Sequence, residues 1–449
     1  MNARPRRWLP AALWLAWLAA GPAAAQDNTA CGAPAADLQH LSLAMAVDLA
    51  LCNNPRISAA WAGIRIQAAA LGEAHAAYLP TVNAAVTHLN DRTAYPGLGH
   101  GSTSLAGLAP TIGLNWRLFD FGERDANHRL AQALLDAAYA NHEAVLQKTL
   151  AGVVNAYFDA QTQLATRQAR LESQQLAEQT LASEQRRAQH GAAGAADVLQ
   201  AQTALAKARL ESNRAASSYR KSLTLLVYAL GLAPDTTVEI SDDSVDDAAP
   251  LRKQLQEWLD VARRHPAIRA ARAGLDAARQ KAAALRAQGL PTVDVGANIY
   301  QNGRPNQGLP PVTSRETLLS VTLNIPLFDG HSQDYKVRGA QAQIAQKDAE
   351  LADTEHQILQ EVIKVYADAS AALDNLAASQ QLLESAQDGL ASTQRKFEHG
   401  AADLLELLTA QSSWLDARQE RIRCQMEWRS ARLGLMANAG ILGRLPAAP

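Results

Sequence analysis

Two kinds of hydrophobic pattern divide this chain. In four short segments, residues 81–89, 111–118, 292–300 and 319–327, apolar side chains recur at every second position. In the third, Val293, Val295, Ala297 and Ile299 fall on one side, and Asp294, Gly296 and Asn298 on the other. That period predicts four half-buried strands. The rest reads as helix. No proline occurs from residue 111 to 233 or from 327 to 445, although the chain holds 18. A proline inside a helix costs about 3 kcal/mol, so these stretches predict long helices, each broken once, at His190-Gly191 and His399-Gly400. A helix over residues 123–189 runs roughly 100 Å at 1.5 Å per residue, longer than a globular core requires. In the second half Ile344, Leu351, Ile358 and Val365 stand seven apart, as do Leu376, Leu383, Leu390 and Phe397, with a four-residue stutter between the sets. This heptad spacing predicts supercoiling. In the first half the apolar positions are mostly alanine, and an ordinary coiled coil remains open.

The chain also repeats itself. Asn54-Pro55 returns as His265-Pro266 and Leu79-Pro80-Thr81-Val82 as Leu290-Pro291-Thr292-Val293. Further matches are Leu118-Phe119-Asp120 with Leu327-Phe328-Asp329, Tyr157 with Tyr366, His190-Gly191 with His399-Gly400, and Gly231 with Gly440. Order and spacing agree along both copies, which identifies two versions of one unit. The organisation expected is a signal peptide over 1–25, a first repeat over 26–230, a linker over 231–252, a second repeat over 253–440 and a tail over 441–449.

Composition narrows the function. Lys and Arg number 42 against 44 acids among 449 residues, which argues against a basic nucleic-acid surface. Arg4, Arg6 and Arg7 precede an apolar run from Trp8 to Ala20, followed by Ala23, Ala24 and Ala25, the pattern of an export signal. Beyond it no run approaches the ~20 apolar residues of a membrane-spanning helix, so the exported protein is either soluble or a β-barrel. Three cysteines without a CxxC exclude a cysteine-rich zinc module. Cys31 and Cys52 are candidates for a disulfide in an oxidising compartment, with Cys424 a buried small hydrophobe. No HExxH, GxSxG or P-loop pattern is present, and the glycines at 97, 99 and 101 join two strands rather than opening a helix. The aspartates at 242–247 lack the glycine and glutamate of an EF-hand loop. No enzyme, cofactor or metal is expected.

Two hairpins with one apolar face suit a soluble sandwich or a membrane sheet. Lipid offers no partner for free strand edges, and known barrels begin at about eight strands. Four strands per chain therefore demand further copies. Eight strands are filled by their own side chains, whereas twelve leave a passage, so three copies form the smallest conducting assembly.

The duplicated unit, the Leu-Pro-Thr-Val opening of each hairpin, the Leu-Phe-Asp turns followed by Gly122 and Gly330, and the His-Gly break followed by Asp197-Val198-Leu199 and Ala201-Gln202 together resemble the TolC family of outer-membrane channel-tunnels. The resemblance covers nearly the whole exported chain. It implies a mainly α fold with a membrane β-barrel: a homotrimer with a twelve-stranded barrel in the outer membrane and a long coiled-coil tunnel in the periplasm. It further implies a periplasmic adaptor (a membrane fusion protein), an inner-membrane transporter of the ABC type, outer-membrane lipid, and exported protein or small-molecule cargo. With no lipid-bearing cysteine at the cleavage point, type I protein secretion is the expected role and multidrug efflux the alternative. A soluble periplasmic coiled-coil adaptor or scaffold is the reading of a different class.

The same resemblance implies that the periplasmic tip is the constriction. Glu406 matches one acidic ring of the family, Thr409 stands where a second acid is found, and Asp197 matches a tip aspartate of a closing link. Ala402 and Phe397 replace the arginine and tyrosine of the familiar links. Three symmetry-related Glu406 carboxylates would favour cations. Glu406 and Asp197 equally suit helix N-termini, where the macrodipole favours acids. Gly191, Val198, Leu199, Gly400, Leu404, Leu407 and Leu408 form the expected docking surface for the adaptor, with the core of a helix pair as the competing role for the leucines.

Overall fold

The structure, a computed structural model, describes residues 38–93, 103–241, 254–301 and 315–442. The signal segment, Cys31, most of both hairpin loops, the aspartate-rich stretch and the last seven residues lie outside the described residues. The first half contributes α1 (Leu43–Asn53), α2 (Pro55–Ala76), β1 (Thr81–Thr93), β2 (Thr103–Phe119), α3 (Glu123–Gln189) and α4 (Ala195–Leu230). The second repeats the order with α5 (Leu255–Ala262), α6 (Pro266–Gln288), β3 (Thr292–Gln301), β4 (Arg315–Asn324), α7 (Ser332–Glu398) and α8 (Leu404–Asn438). Among the described residues no helix is long and apolar enough to cross a membrane.

Each long helix begins where the strand pair ends. Asp120 accepts hydrogen bonds from the backbone N–H of Gly122 (3.2 Å) and Arg124 (3.1 Å), and Asp329 from that of Gln333 (2.8 Å). A carboxylate there satisfies donors that an α-helix leaves unpaired at its first turn. α3 contacts α2 and α6 near the sheet and α4 and α8 beyond it; α7 contacts α6 and α8. The helices thus lie side by side as a layer rather than around one centre. Small residues let them approach: Ala126, Ala131, Ala140, Ala160, Ala169 and Ala177 are the buried alanines of α3. In α7 only Leu376 and Phe397 of the eight heptad residues are buried, and the other six are half-buried. Ile358 and Val365 pack against Trp258, Val362 and Leu435, and Leu390 against Leu404 and Leu407, so the stripe is directed in part at α5 and α8 of its own chain.

Three of the expected strands extend beyond their predicted limits, and the fourth is displaced. The predicted 319–327 segment pairs only to Asn324 and begins earlier, at Arg315. Pro326 has no N–H for a ladder and restricts Ile325, which ends the strand.

The middle of the layer is held by matching joints. Asn54 caps α2, accepting from Arg56 N–H at 3.0 Å and donating to the Ala229 carbonyl at 3.0 Å. His265 caps α6 through Nδ1, which accepts from Ala267 N–H at 3.1 Å. Gly231, with φ of +74°, lies so close that an added Cβ would sit 2.6 Å from the Asn53 carbonyl oxygen. Burial, then the nearby Arg269 charge, lowers the His265 pKa below 6.5, so the ring stays neutral and can accept.

Two outcomes are expected. Gly231→Ala, strained both by the positive φ and by backbone contact, lowers stability by about 1–3 kcal/mol in denaturant unfolding. The unfolded chain binds a proton on His265 at a higher pH than the folded chain does. Stability therefore declines as pH falls below 6.5, the ordinary histidine value. His265→Asn, which copies the cap of the other repeat, should flatten that part of a pH series of unfolding midpoints.

Candidate functional site

Two regions combine exposure with built geometry: the sheet and the distal helix tip. The sheet runs β1-β2-β3-β4, antiparallel throughout. Its register aligns Val82, Leu114, Ala297 and Leu319 across all four strands, and likewise Trp116, Val295 and Val321 across three. Successive side chains alternate faces, so these rows share one apolar side. Its large residues are open: Val86 is 68% exposed, Leu319 73% and Val321 71%, with Val82, Ile112, Trp116 and Leu323 exposed beside them. Burying such side chains is worth roughly 1.5–3 kcal/mol each, so a face of this size in water forfeits on the order of 10 kcal/mol. The opposite side carries Thr81, Asn115, Gly296 and Ser320 in one row and Arg117, Asp294 and Thr322 in another, with half-buried Leu318 an exception. β1 and β4 each pair on one side only.

At the far end, α3 and α7 stop in the same way. Gly191 and Gly400 take φ of +72° and +74°; the N–H of Ala192 reaches the Arg187 carbonyl and that of Ala401 the Lys396 carbonyl, each at 2.8 Å. This closing turn needs a left-handed residue, and glycine adopts it without strain. Asp197 and Glu406 occupy equivalent places, the third residue of α4 and of α8. The Asp197 carboxylate accepts from Gly194 N–H at 2.9 Å, closing its own helix turn. Glu406 instead offers its backbone N–H to Asp403 at 2.8 Å and leaves its side chain exposed. The Thr409 hydroxyl donates to the Leu405 carbonyl at 2.7 Å.

The expected docking surface needs correction. Leu404 and Leu407 are buried with Ala201 and Phe397, and Leu408 packs against them. These leucines join the two helical hairpins of one protomer; Leu404 and Leu407 are withdrawn from solvent and Leu408 is half-buried. Leu199 and Leu405 are the exposed leucines of the tip, beside exposed Gly191 and Gly400 and half-buried Val198. Sequence reasoning missed the polar clamp over this cluster. Glu184, 1% exposed, accepts from Arg187 at 3.1 Å, and the Arg187 guanidinium lies 4.6 Å from the Phe397 ring centroid. A Glu and an Arg three apart on a helix are common, and nothing in the sequence shows that Phe397 of the other hairpin lies beneath them. Deeper along α3, Thr180 accepts from Gln411 at 3.1 Å and Arg170 donates to Gln419 at 3.1 Å.

Among the described residues no cluster of His, Cys, Asp or Glu is arranged to hold a metal. Cys424 is buried and free.

The model of the family described as outer membrane efflux protein matches residues 46–232 and again 260–441. The chain belongs to this family. It is 37% identical to protein CyaE of Bordetella pertussis over 425 residues, covering 94% of this chain and 89% of that one. It is 25% identical to the alkaline protease secretion protein AprF of Pseudomonas aeruginosa, over 74% of this chain and 69% of that one. A crystal structure of a membrane protein from Pseudomonas aeruginosa shares the fold, with a TM-score of 0.78 at 24% identity over 88% of this chain and 93% of that one. The chain is thus an outer-membrane channel protein with its helical part in the periplasm. The soluble coiled-coil scaffold is thereby set aside.

The clamp yields a test. Arg187→Ala leaves the buried Glu184 carboxylate unpaired and should cost about 2 kcal/mol, discounted from a fully buried pair because the arginine is partly exposed. Protease cutting at residues 190–194 should quicken. Glu184→Ala in the same chain should recover part of the loss, a coupling that a double-mutant cycle measures.

Proposed function

We propose that the protein is the passive outer-membrane exit duct of a type I protein secretion system. The observation that carries this reading is the four-stranded sheet with an exposed apolar face and two open edges. Three copies, joined edge to edge, make a twelve-stranded barrel with the Asn, Thr and Ser face toward the lumen. The long helices of the three copies then stand side by side below the strands, extending the barrel as a helical tunnel. Kinship with a protease secretion protein supports polypeptide cargo. Drug efflux, which the family description favours, is the second reading.

In this assembly the tip docks a periplasmic adaptor through Gly191, Val198, Leu199, Leu405 and Gly400. The inner-membrane partner is an ABC transporter, which supplies the energy; the duct needs no catalytic group or cofactor of its own. Glu406, exposed and repeated three times, forms the acidic constriction, while Asp197 and Thr409 are engaged with their own helices. Cys31 and Cys52 form a disulfide that ties the N-terminal segment to α1.

Deleting the protein should abolish release of the exported polypeptide into the medium while leaving drug tolerance within about twofold; the reverse result replaces secretion with efflux. In detergent the protein should run as a heat-sensitive trimer from the outer membrane. Glu406→Ala should weaken the block of single-channel current by divalent cations, and an unchanged block removes that residue from the pore.

A further inference from the structure

We infer that the neck of the channel, where barrel joins tunnel, holds a charge-selecting site made of Arg117, Asp294 and Glu123. The inference rests on the duct reading, which places the polar sheet face on the lumen. Arg117 lies on that face at the end of β2 and is paired with Asp294 of β3. Its Nε donates to Asp294 Oδ1 at 2.9 Å, and its Nη1 lies 3.6 Å from Glu123 Oε2 on α3.

The surroundings aim this side chain. The ladder between β2 and β3 slips between Arg117 and Phe119, a bulge of the kind that redirects side chains at barrel rims. Arg124 holds the bulge by donating to the carbonyls of Arg117 (2.7 Å) and Leu118 (3.1 Å), and is itself held by Asp120 at 2.6 Å. Asp120 and Arg124 are largely buried and neutralise each other, so they act as scaffold. Arg117 and Asp294 remain 41% and 36% exposed, and Glu123 19%. The second repeat has no counterpart: Pro326 stands at the position of Arg117 and Gln333 at that of Arg124, where it donates to the Leu285 carbonyl instead. Glu316, also on the polar face, is six residues along the strand register from this site, about 20 Å away and beyond the screening length at 0.1 M salt.

At this level each protomer presents one positive and two negative charges from Arg117, Asp294 and Glu123, exposed Asp329 at the head of α7 adds a further negative one, and the trimer presents a ring of net negative sign. Such a ring favours small cations and basic stretches of an unfolded polypeptide, while Arg117 moderates its strength.

The test is the reversal potential of purified trimers in planar phospholipid bilayers under a KCl gradient near 0.1 M. Arg117→Gln should raise the ratio of potassium to chloride permeability about twofold, and Asp294→Asn should lower it by a similar factor. The double variant restores the net charge and should return the ratio to that of the parent, which a purely structural role of the ion pair does not predict. Variants that assemble as trimers in detergent and all share one reversal potential would overturn the inference while leaving the duct intact. A double variant that stays shifted overturns it as well. Failure of the parent to open channels overturns the duct reading and this inference with it.

Discussion

A backbone amide or carbonyl at a strand edge has no hydrogen-bond partner in hydrocarbon, and each one left unpaired costs several kcal/mol. This constraint organises the whole protein. The sheet has one side that suits lipid and two edges that lipid cannot satisfy, so one polypeptide is an incomplete object. The helices follow the same logic in water: α7 buries Val362, Ala369, Ala372 and Leu376 against its own chain and leaves Ile363 and Leu382 exposed. Barrel and tunnel call for the same number of copies because each long helix starts directly beneath a strand pair.

Duplication supplies the frame, and departures from it mark where the halves do different work. The Asp120 and Asp329 caps, the Gly191 and Gly400 turns, and the Asn54 and His265 joints solve the same local problem twice. Arg117 against Pro326 breaks the correspondence at the neck. Gly194 against Asp403 breaks it at the tip: where Asp403 supplies the cap, the neighbouring acid Glu406 is released to solvent, and where Gly194 cannot, Asp197 must turn back to its own backbone. One substitution at a cap thus decides which acid is left exposed.

The tip shows how apolar and charged contacts share one task. Phe397, Leu404, Leu407 and Ala201 bring two hairpins together without directional bonding, while Arg187 over Phe397 adds orientation and keeps Glu184 neutralised in a dry place. Phe397 suits this place, because a ring under a guanidinium needs its face rather than a hydroxyl.

The twofold unit, the two long helices with their single breaks, the four strands and the identity of the apolar strand face were all legible in the sequence. Each depends on local rules: proline excluded from helix interiors, glycine at left-handed turns, period two in strands. Tertiary structure alone decided which tip leucines are core and which are surface, since Leu404, Leu405, Leu407 and Leu408 are chemically alike and differ only in the direction they face. It also decided the partners of Glu184, Arg187, Arg117 and Asp294, the latter two 177 residues apart. Periodicity fixes which residues share a face. Only the packing of one element on another fixes what that face meets.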